Sequence, residues 1–376
     1  MTINQDIFLY IFIAFSCFYY GLLIAVYIGL RSLQLSYSGT IDLKEDRLAS
    51  VSIVIAARNE ETRILPCLKS LEKLAYPEDR YEVIFIDDSS SDKTTELIDR
   101  FCKKYRNWHL IRIAKKSKQL LGKKNALLQG IAKAKGDIIF TTDADCIVPP
   151  GWIQGMVKYF KTGISMVLGY SPLQKGKGFL YRFLQFDNLF SALAAAAPTK
   201  LGYPFTSVGR NLAYCKEAYH NVGGFLALKN FRSGDDIHLT TRFRYLNNGK
   251  IDYCADADTF VETQLPSSLS DVIHQQMRKN SKTFQLTFSS IVFSLLLAVY
   301  YILLIITPIF FPEWLKTWLY LLLLKFLLEN IDLVKAAKIF RLKGLIPYIP
   351  LMQILYPINI AIFSLLGVTQ FYSWKK

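Results

Sequence analysis

The stretch Val51-Ser-Ile-Val-Ile-Ala-Ala-Arg-Asn-Glu60 opens with apolar and small residues and ends in a polar turn. A short, β-branched run of this kind reads as a buried strand, with Arg58, Asn59 and Glu60 at its C-terminal end. The pattern recurs downstream. Val83–Ile86 leads into Asp87-Asp88-Ser89, and Ile138–Phe140 leads into Asp143-Ala144-Asp145. Leu110–Ile113 is a weaker run. Helical patterns fall between them, at Thr62–Lys73 and Lys93–Tyr105. Alternating strands and helices predict an α/β domain with a mostly parallel sheet covered on both faces. In such sheets ligands bind beyond the C-terminal ends of the strands. The polar clusters lie there.

Outward from this core, the chain of 376 residues becomes strongly apolar. Hydrophobic residues make up 52% and charged residues 20%, which excludes a disordered chain. The apolar residues bunch at the two ends, unlike those of an ordinary soluble protein. Residues 7–30 carry no charge over 24 positions, and about 20 suffice for a membrane span. No Lys or Arg precedes the run and no small-residue cleavage site follows, so it reads as an uncleaved anchor. Residues 283–312 and 344–374 are also uncharged. Between them the run 314–324 continues through Lys325, Glu329 and Asp332. The expectation is an anchor over 1–35, a catalytic domain over 50–282 and about three transmembrane helices over 283–376. Pro347, Pro350 and Pro357 should kink or interrupt the last span.

Basic residues follow the anchor at Arg31, Lys44 and Arg47, and a second basic group is Lys335, Lys338, Arg341 and Lys343. The positive-inside rule then predicts a multi-pass protein of the cell membrane with its middle domain in the cytoplasm. Lys325 and Glu329, four apart, share a helix face. They should face the helix bundle, as a structural pair or in acceptor passage. The six cysteines form no CxxC pair and read as reduced thiols. The net charge of +15 is compatible with anionic lipid or phosphorylated substrates. Nucleic acid is disfavoured, because the basic residues are dispersed and no binding motif appears.

Asp143 and Asp145 flank one residue and can both face a hard cation, Mg²⁺ or Mn²⁺. A solvated turn or a helix cap would use the same residues. Asp88 can accept a hydrogen bond from a base or ribose. Lys123, in Gly122-Lys-Lys-Asn-Ala-Leu127, opens a helix where it can reach a phosphate or simply lie in solvent. Asp235 and Asp236 precede a helical stretch, as caps or as a carboxylate pair containing a general base. A base that activates an acceptor hydroxyl implies in-line displacement at a sugar carbon, through an oxocarbenium-like transition state. His109, His220, His238 and His274 show no metal spacing, and His238 either lines the site or is structural.

Taken in order, these motifs, with Gly209-Arg-Asn-Leu-Ala-Tyr214 and Gly234-Asp-Asp236, resemble the family 2 glycosyltransferases. The flanking apolar helices resemble the membrane-integrated branch. The resemblance covers about residues 50–285. It implies a GT-A fold, a nucleotide-sugar donor (usually UDP-linked), a divalent metal and inversion at the anomeric carbon. Carried over by motif, Glu60 and Asp88 would hold the nucleoside, with Arg58 and Lys123 also on the donor side. Asp143 would contact the donor and the metal, and Asp145 the metal. Asp236 would be the base, with Asp235 in place of the family's usual Glu. Asn211 and Asp235 would stand on the acceptor side.

The family often carries Gln-x-x-Arg-Trp before its C-terminal helices, and this chain reads Gln275-Gln-Met-Arg278-Lys279. The resemblance gives Gln275 and Arg278 to the diphosphate. Lys279 cannot offer the aromatic platform on which an acceptor sugar stacks. It points to a single transfer onto a non-sugar or phosphate-bearing acceptor, or else to lipid headgroups beside Lys282. Phe179–Phe190 has apolar positions at helical spacing, with Lys175, Lys177 and Arg182 nearby. It reads as a helix on the inner leaflet that guides a lipid acceptor, or as a core helix. The function expected is single-sugar transfer to a membrane-associated acceptor. The alternatives are a processive polysaccharide synthase and a non-catalytic membrane partner that keeps the fold.

Overall fold

The computed structural model describes residues 3–36, 48–113, 120, 122–231, 234–246, 250–281 and 288–368. The chain divides into two compact units. Residues 31–177 and 188–265 form one, and residues 1–30, 178–187 and 266–376 form the other.

The first unit is the α/β domain. Its strands are β1 (Val51–Ala57), β2 (Tyr81–Asp87), β3 (Trp108–Arg112), β4 (Ile138–Asp143), β5 (Cys146–Ile147), β6 (Met166–Gly169), β7 (Leu212–Cys215), β8 (Ile251–Cys254) and β9 (Glu262–Thr263). Seven of them form one sheet in the order β3-β2-β1-β4-β7-β6-β8, while β5 and β9 pair separately. β1 pairs in parallel with β2 and β4, and β2 with β3. β7 alone among the described strands of this sheet is antiparallel to its neighbours. The predicted mostly parallel sheet is therefore present. Its central strand β1 is apolar and almost wholly buried, as its sequence requires.

Register explains why the polar turns converge. Ala57 is level with Asp87, and Ala56 is level with Asp143. Arg58, Asp88 and Asp143 therefore leave the sheet at one edge. β7 runs the other way, with Thr141 opposite Leu212. Its reversal brings the residues before its start, Gly209–Asn211, to the edge where β4 ends.

Helices α2 (Ile64–Leu71), α3 (Thr94–Cys102), α4 (Lys123–Lys133) and α5 (Trp152–Val157) pack on the sheet. α4 approaches so closely that a Cβ at Gly130 would come within 2.5 Å of both Val54 Cγ1 and Ile86 Cδ1. Gly122, just before α4, has φ +60°, a conformation that costs glycine little. α6 (Gly178–Lys200), α7 (Lys216–Asn221) and α8 (Asp235–Leu246) follow in sequence. In α6, Tyr181, Leu184, Phe186 and Leu189 are buried, while Phe179, Leu180 and Phe190 are exposed. The helix thus has a packed side and an open apolar side.

The second unit contains α1 (Ile3–Ser36), α9 (Leu269–Ser281), α10 (Phe288–Phe310), α11 (Leu315–Ile339) and α12 (Ile349–Val368). Among the described residues, three helical segments are long and apolar enough to cross a membrane: Asp6–Leu35, Ile291–Phe310 and Lys343–Ser364. α11 is a helix of 25 residues, but its charged residues set it apart from those three. Lys325 and Glu329 are buried and paired at 2.8 Å, as their spacing predicts. Glu329 also accepts the Tyr19 hydroxyl, and the Lys325 ammonium lies 5.4 Å from the Tyr301 ring centre. Pro347 falls in a 3-10 turn before α12, whereas the helix continues through Pro357. Lys282 lies outside the described residues. All six cysteines are free thiols.

Candidate active site

The turns after β1 and β2 carry the residues expected to hold the nucleoside. Asn59 and Ser89 both have positive φ, at 52° and 60°, which tightens the turns after β1 and β2. Their side chains and backbones are cross-linked. Asn59 Oδ1 accepts the Ser91 amide at 2.9 Å, and the Asn59 amide donates to Ser90 Oγ at 3.1 Å. The Glu60 amide donates to Thr94 Oγ1 at 2.7 Å, and the Glu61 amide to Asp92 Oδ2 at 3.1 Å. Asp87 serves the turn itself, accepting the Ser90 amide and the Thr95 hydroxyl. Asp88, next in sequence, is also buried. Arg58 is exposed and Glu60 half-buried.

At the end of β4, the ligand atoms of Asp143, Asp145 and Cys146 lie within 4.8 Å of one another. Burial, reinforced by the fields of Asp143 and Asp145, pushes the Cys146 thiol up to about 12. Lys123, the first residue of α4, pairs with Asp143. Burial alone would lower its pKa. Asp143, followed by Asp236 and Asp235, outweighs that effect and lifts the ammonium above its ordinary range. The carboxylates from β4 and from the start of α8 therefore act on one ammonium.

Asp236 lies in the first turn of α8. Its Oδ2 accepts the Gly209 amide at 2.9 Å, and its Oδ1 accepts the Ile237 amide at 3.0 Å. Gly209 is tied to the sheet in turn, because its carbonyl accepts the Thr141 hydroxyl at 3.0 Å. Burial raises the pKa of Asp235; repulsion by Asp236 adds to this, and Lys124 works against it. The two carboxylates expected to perturb each other are thus unequal: Asp235 is engaged by Lys124 at 3.4 Å. His238 stacks on Phe231, with ring centres 3.7 Å apart.

One expectation changes at this level. Asn211 is fully buried, and its amide is saturated inside the protein. It accepts the Trp152 indole N–H and donates to the Tyr170 and Thr259 carbonyls. Both amide hydrogens are used and the side chain is out of reach of solvent, so its contribution to the site is to fix the start of β7. Lys279 belongs with Gln275 and Arg278 on α9, in the second unit. Its ammonium pairs with Asp187 at 2.5 Å, and its side chain remains 40% exposed. Asp187 also accepts the Gln276 amide at 3.1 Å and the Tyr356 hydroxyl at 2.8 Å. Sequence reasoning passed over Lys124 and Gly209. The Lys-Lys pair after Gly122 was the signal for the first. For the second, the motif Gly209–Tyr214 marked the place but not the role, since it acts through its backbone amide.

A mostly parallel sheet with carboxylates at the C-terminal ends of β2 and β4, and a further pair at the start of α8, defines an α/β transferase fold of the GT-A type. The profile of glycosyl transferase family 2 matches residues 52–225. The Bacillus subtilis protein named "Probable glycosyltransferase YdaM" is 31% identical over 200 residues, which is 52% of this chain and 46% of that one. The beta-monoglucosyldiacylglycerol synthase of Synechocystis is 36% identical over 110 residues, 29% of this chain and 22% of that one. The chain therefore spans less than half the length of these relatives. Among solved structures, a Pyrobaculum calidifontis mannosyltransferase in complex with GDP-Man and Mn²⁺ shares the fold. Its TM-score is 0.50 at 17% identity, over 94% of this chain and 98% of that one. This chain carries a glycosyltransferase domain of family 2.

Proposed function

We propose that the protein transfers one sugar from a nucleotide-sugar donor, UDP-linked, to a membrane-associated lipid acceptor, with inversion at the anomeric carbon. The observation that carries this reading is the Asp236 carboxylate, held at the start of α8 by the Gly209 and Ile237 amides. Two fixed N–H donors orient a carboxylate without neutralising it, as a general base requires. The acceptor hydroxyl gives its proton to Asp236, and its oxygen bonds to the anomeric carbon. The bond from that carbon to the donor diphosphate breaks, and the nucleoside diphosphate leaves with the electron pair.

Glu60 and Asp88 hold the nucleoside, with Arg58 at the rim. Gln275 and Arg278 are assigned to the diphosphate by the family motif alone. The donor set at the end of β4 fits a hard divalent cation, Mg²⁺ or Mn²⁺, held by Asp143 and Asp145. When bound, such an ion neutralises charge on the leaving diphosphate. Cys146 Sγ lies beside these oxygens, and a hard ion favours the carboxylates over sulfur. Lys123 places a second positive charge beside Asp143.

A lipid acceptor is supported by the apolar helices on the same chain and by a relative named for glucosyldiacylglycerol. We assign the α/β domain to the cytoplasmic side on the distribution of basic residues. Lys279, being ion-paired, no longer argues for a phosphate on the acceptor.

The test is nucleotide release from a panel of UDP- and GDP-sugars by the full-length protein in native lipid, with and without Mn²⁺. Release of UDP from one donor, lost in Asp236→Asn while UDP still binds, is the expected result. Full transfer by Asp236→Asn would sink the base assignment. Ladders of long products would replace single transfer by processive synthesis.

A further inference from the structure

We propose that Lys124 is a positioning residue for the base-bearing end of α8. The proposal rests on the reading of Asp236 as the base. Lys124 is the second residue of α4, and its side chain is only 5% exposed. An ammonium has three N–H donors and no acceptor, so burying it requires three oxygens. Lys124 has them. It donates to the Leu228 carbonyl at 3.2 Å and to the Phe231 carbonyl, and it faces Asp235 Oδ1 at 3.4 Å.

Those oxygens lie on both sides of Gly234, whose φ is +81°. The chain there leaves a 3-10 turn over Gly224–Leu228 and then enters α8 at Asp235. One buried cation therefore fastens the approach to the helix and the residue next to Asp236. A glycine hinge in the left-handed region would otherwise let this segment turn freely. Gly209 orients the Asp236 carboxylate from one side. Lys124 sets the helix start from the other.

The preceding residue completes the argument. Lys123 pairs with Asp143 on β4, while Lys124 holds Asp235. Neighbouring residues on a helix point about 100° apart, so one turn of α4 can serve both groups. α4 thus offers Lys123 to the donor-side carboxylate and Lys124 to the base-bearing end of α8, each lysine holding its own partner.

The test uses the full-length protein in lipid, with Lys124→Met, Lys124→Gln and Lys124→Arg. UDP-sugar turnover, UDP affinity by calorimetry and thermal unfolding are measured together. In Lys124→Met the expected kcat falls about 100-fold, because a base misplaced by about 1 Å loses that much. Donor KM and UDP affinity stay within about twofold, because the donor-side residues are untouched. Lys124→Arg, which keeps a buried cation with several donors, recovers to within about tenfold of wild type. A kcat within about threefold of wild type in Lys124→Met and Lys124→Gln overturns the proposal. So does an equal loss of kcat and UDP affinity, or loss of cooperative unfolding in all three variants, since each marks a lysine that serves the fold alone. Asp236→Asn is run in parallel. If it remains active, the base reading fails and takes this proposal with it. If it is dead while Lys124→Met is fully active, only the role of Lys124 falls.

Discussion

Asn211 accepts the indole N–H of Trp152 at 2.9 Å and gives both amide hydrogens to carbonyls, of Tyr170 at 2.7 Å and Thr259 at 2.9 Å. Asn211→Leu leaves the Trp152 indole N–H and the Thr259 carbonyl without these partners, at about 1–3 kcal/mol each, while the Tyr170 carbonyl keeps the Val261 amide. The expected loss of stability is about 3–5 kcal/mol, read by denaturant unfolding of the purified protein. Gly169→Ala attacks the same amide from outside, since its Cβ would lie 2.5 Å from the Asn211 side chain. Because both changes disturb one contact, the double variant should cost less than the sum. Strict additivity would show that the contact is not shared.

Metal binding should depend on Asp145 more than on Cys146. Asp145→Asn is expected to weaken Mn²⁺ binding at least tenfold by calorimetry, because a hard ion loses an anionic oxygen. Cys146→Ser should change it by less than about threefold, because a hard ion draws little from a sulfur ligand. Comparable losses in the two variants would make the sulfur a ligand.

The ion pair of Asp187 and Lys279 gives stability a pH signature. Burial by itself would raise the pKa of Asp187, but Lys279, with the Tyr356 and Gln276 hydrogen bonds, holds the carboxyl below its ordinary range. An acid whose folded-state pKa lies below its unfolded value of about 3.9 adds stability that is present above that value. That stability is lost as pH falls through the folded value. Asp187→Asn should therefore be less stable than wild type at pH 7, by about 1–2 kcal/mol given the partly solvated Lys279. The gap should close below about pH 4. A gap that is constant from pH 7 to pH 3 would mean that charge plays no part.

Within the apolar helices, Lys325 and Glu329 test pairing against packing. Lys325→Met strands a buried carboxylate and should cost about 3–5 kcal/mol. Lys325→Met combined with Glu329→Gln should recover most of that, because neither side then carries an uncompensated charge. Unfolding in detergent measures both. If the double variant is as unstable as the single, the contacts with Tyr19 and Tyr301 matter more than the charge pair.

The central strands were legible because β1, β2 and β4 are buried on both faces and so are continuous apolar runs. The strands β6, β7 and β8 have four residues each, too few to show a period against their surroundings. Without them the reversal at β7 was invisible, and with it the reason that Gly209 reaches Asp236. The carboxylates were legible as residue types at strand ends, but not in their partners. Asn211 had an acceptor-side role on motif position, and it took side-chain geometry to find its amide bonded within the protein, while Lys279 showed its ion pair with Asp187 only in the structure. α11 was the ambiguous case in sequence. Its charges lower its hydropathy, yet Lys325, Glu329 and Asp332 are all buried.

The turns after β1 and β2 are stitched together by bonds from Asn59, Glu60, Glu61, Ser90, Ser91, Asp92, Lys93 and Thr94. Neither turn can open without breaking bonds to the other. Their amide protons should therefore exchange with solvent at a shared rate, as one cooperative opening. A nucleoside lodged against Glu60 and Asp88 would slow all of these protons together, so occupancy of the site could be followed from a few backbone signals without any transfer taking place.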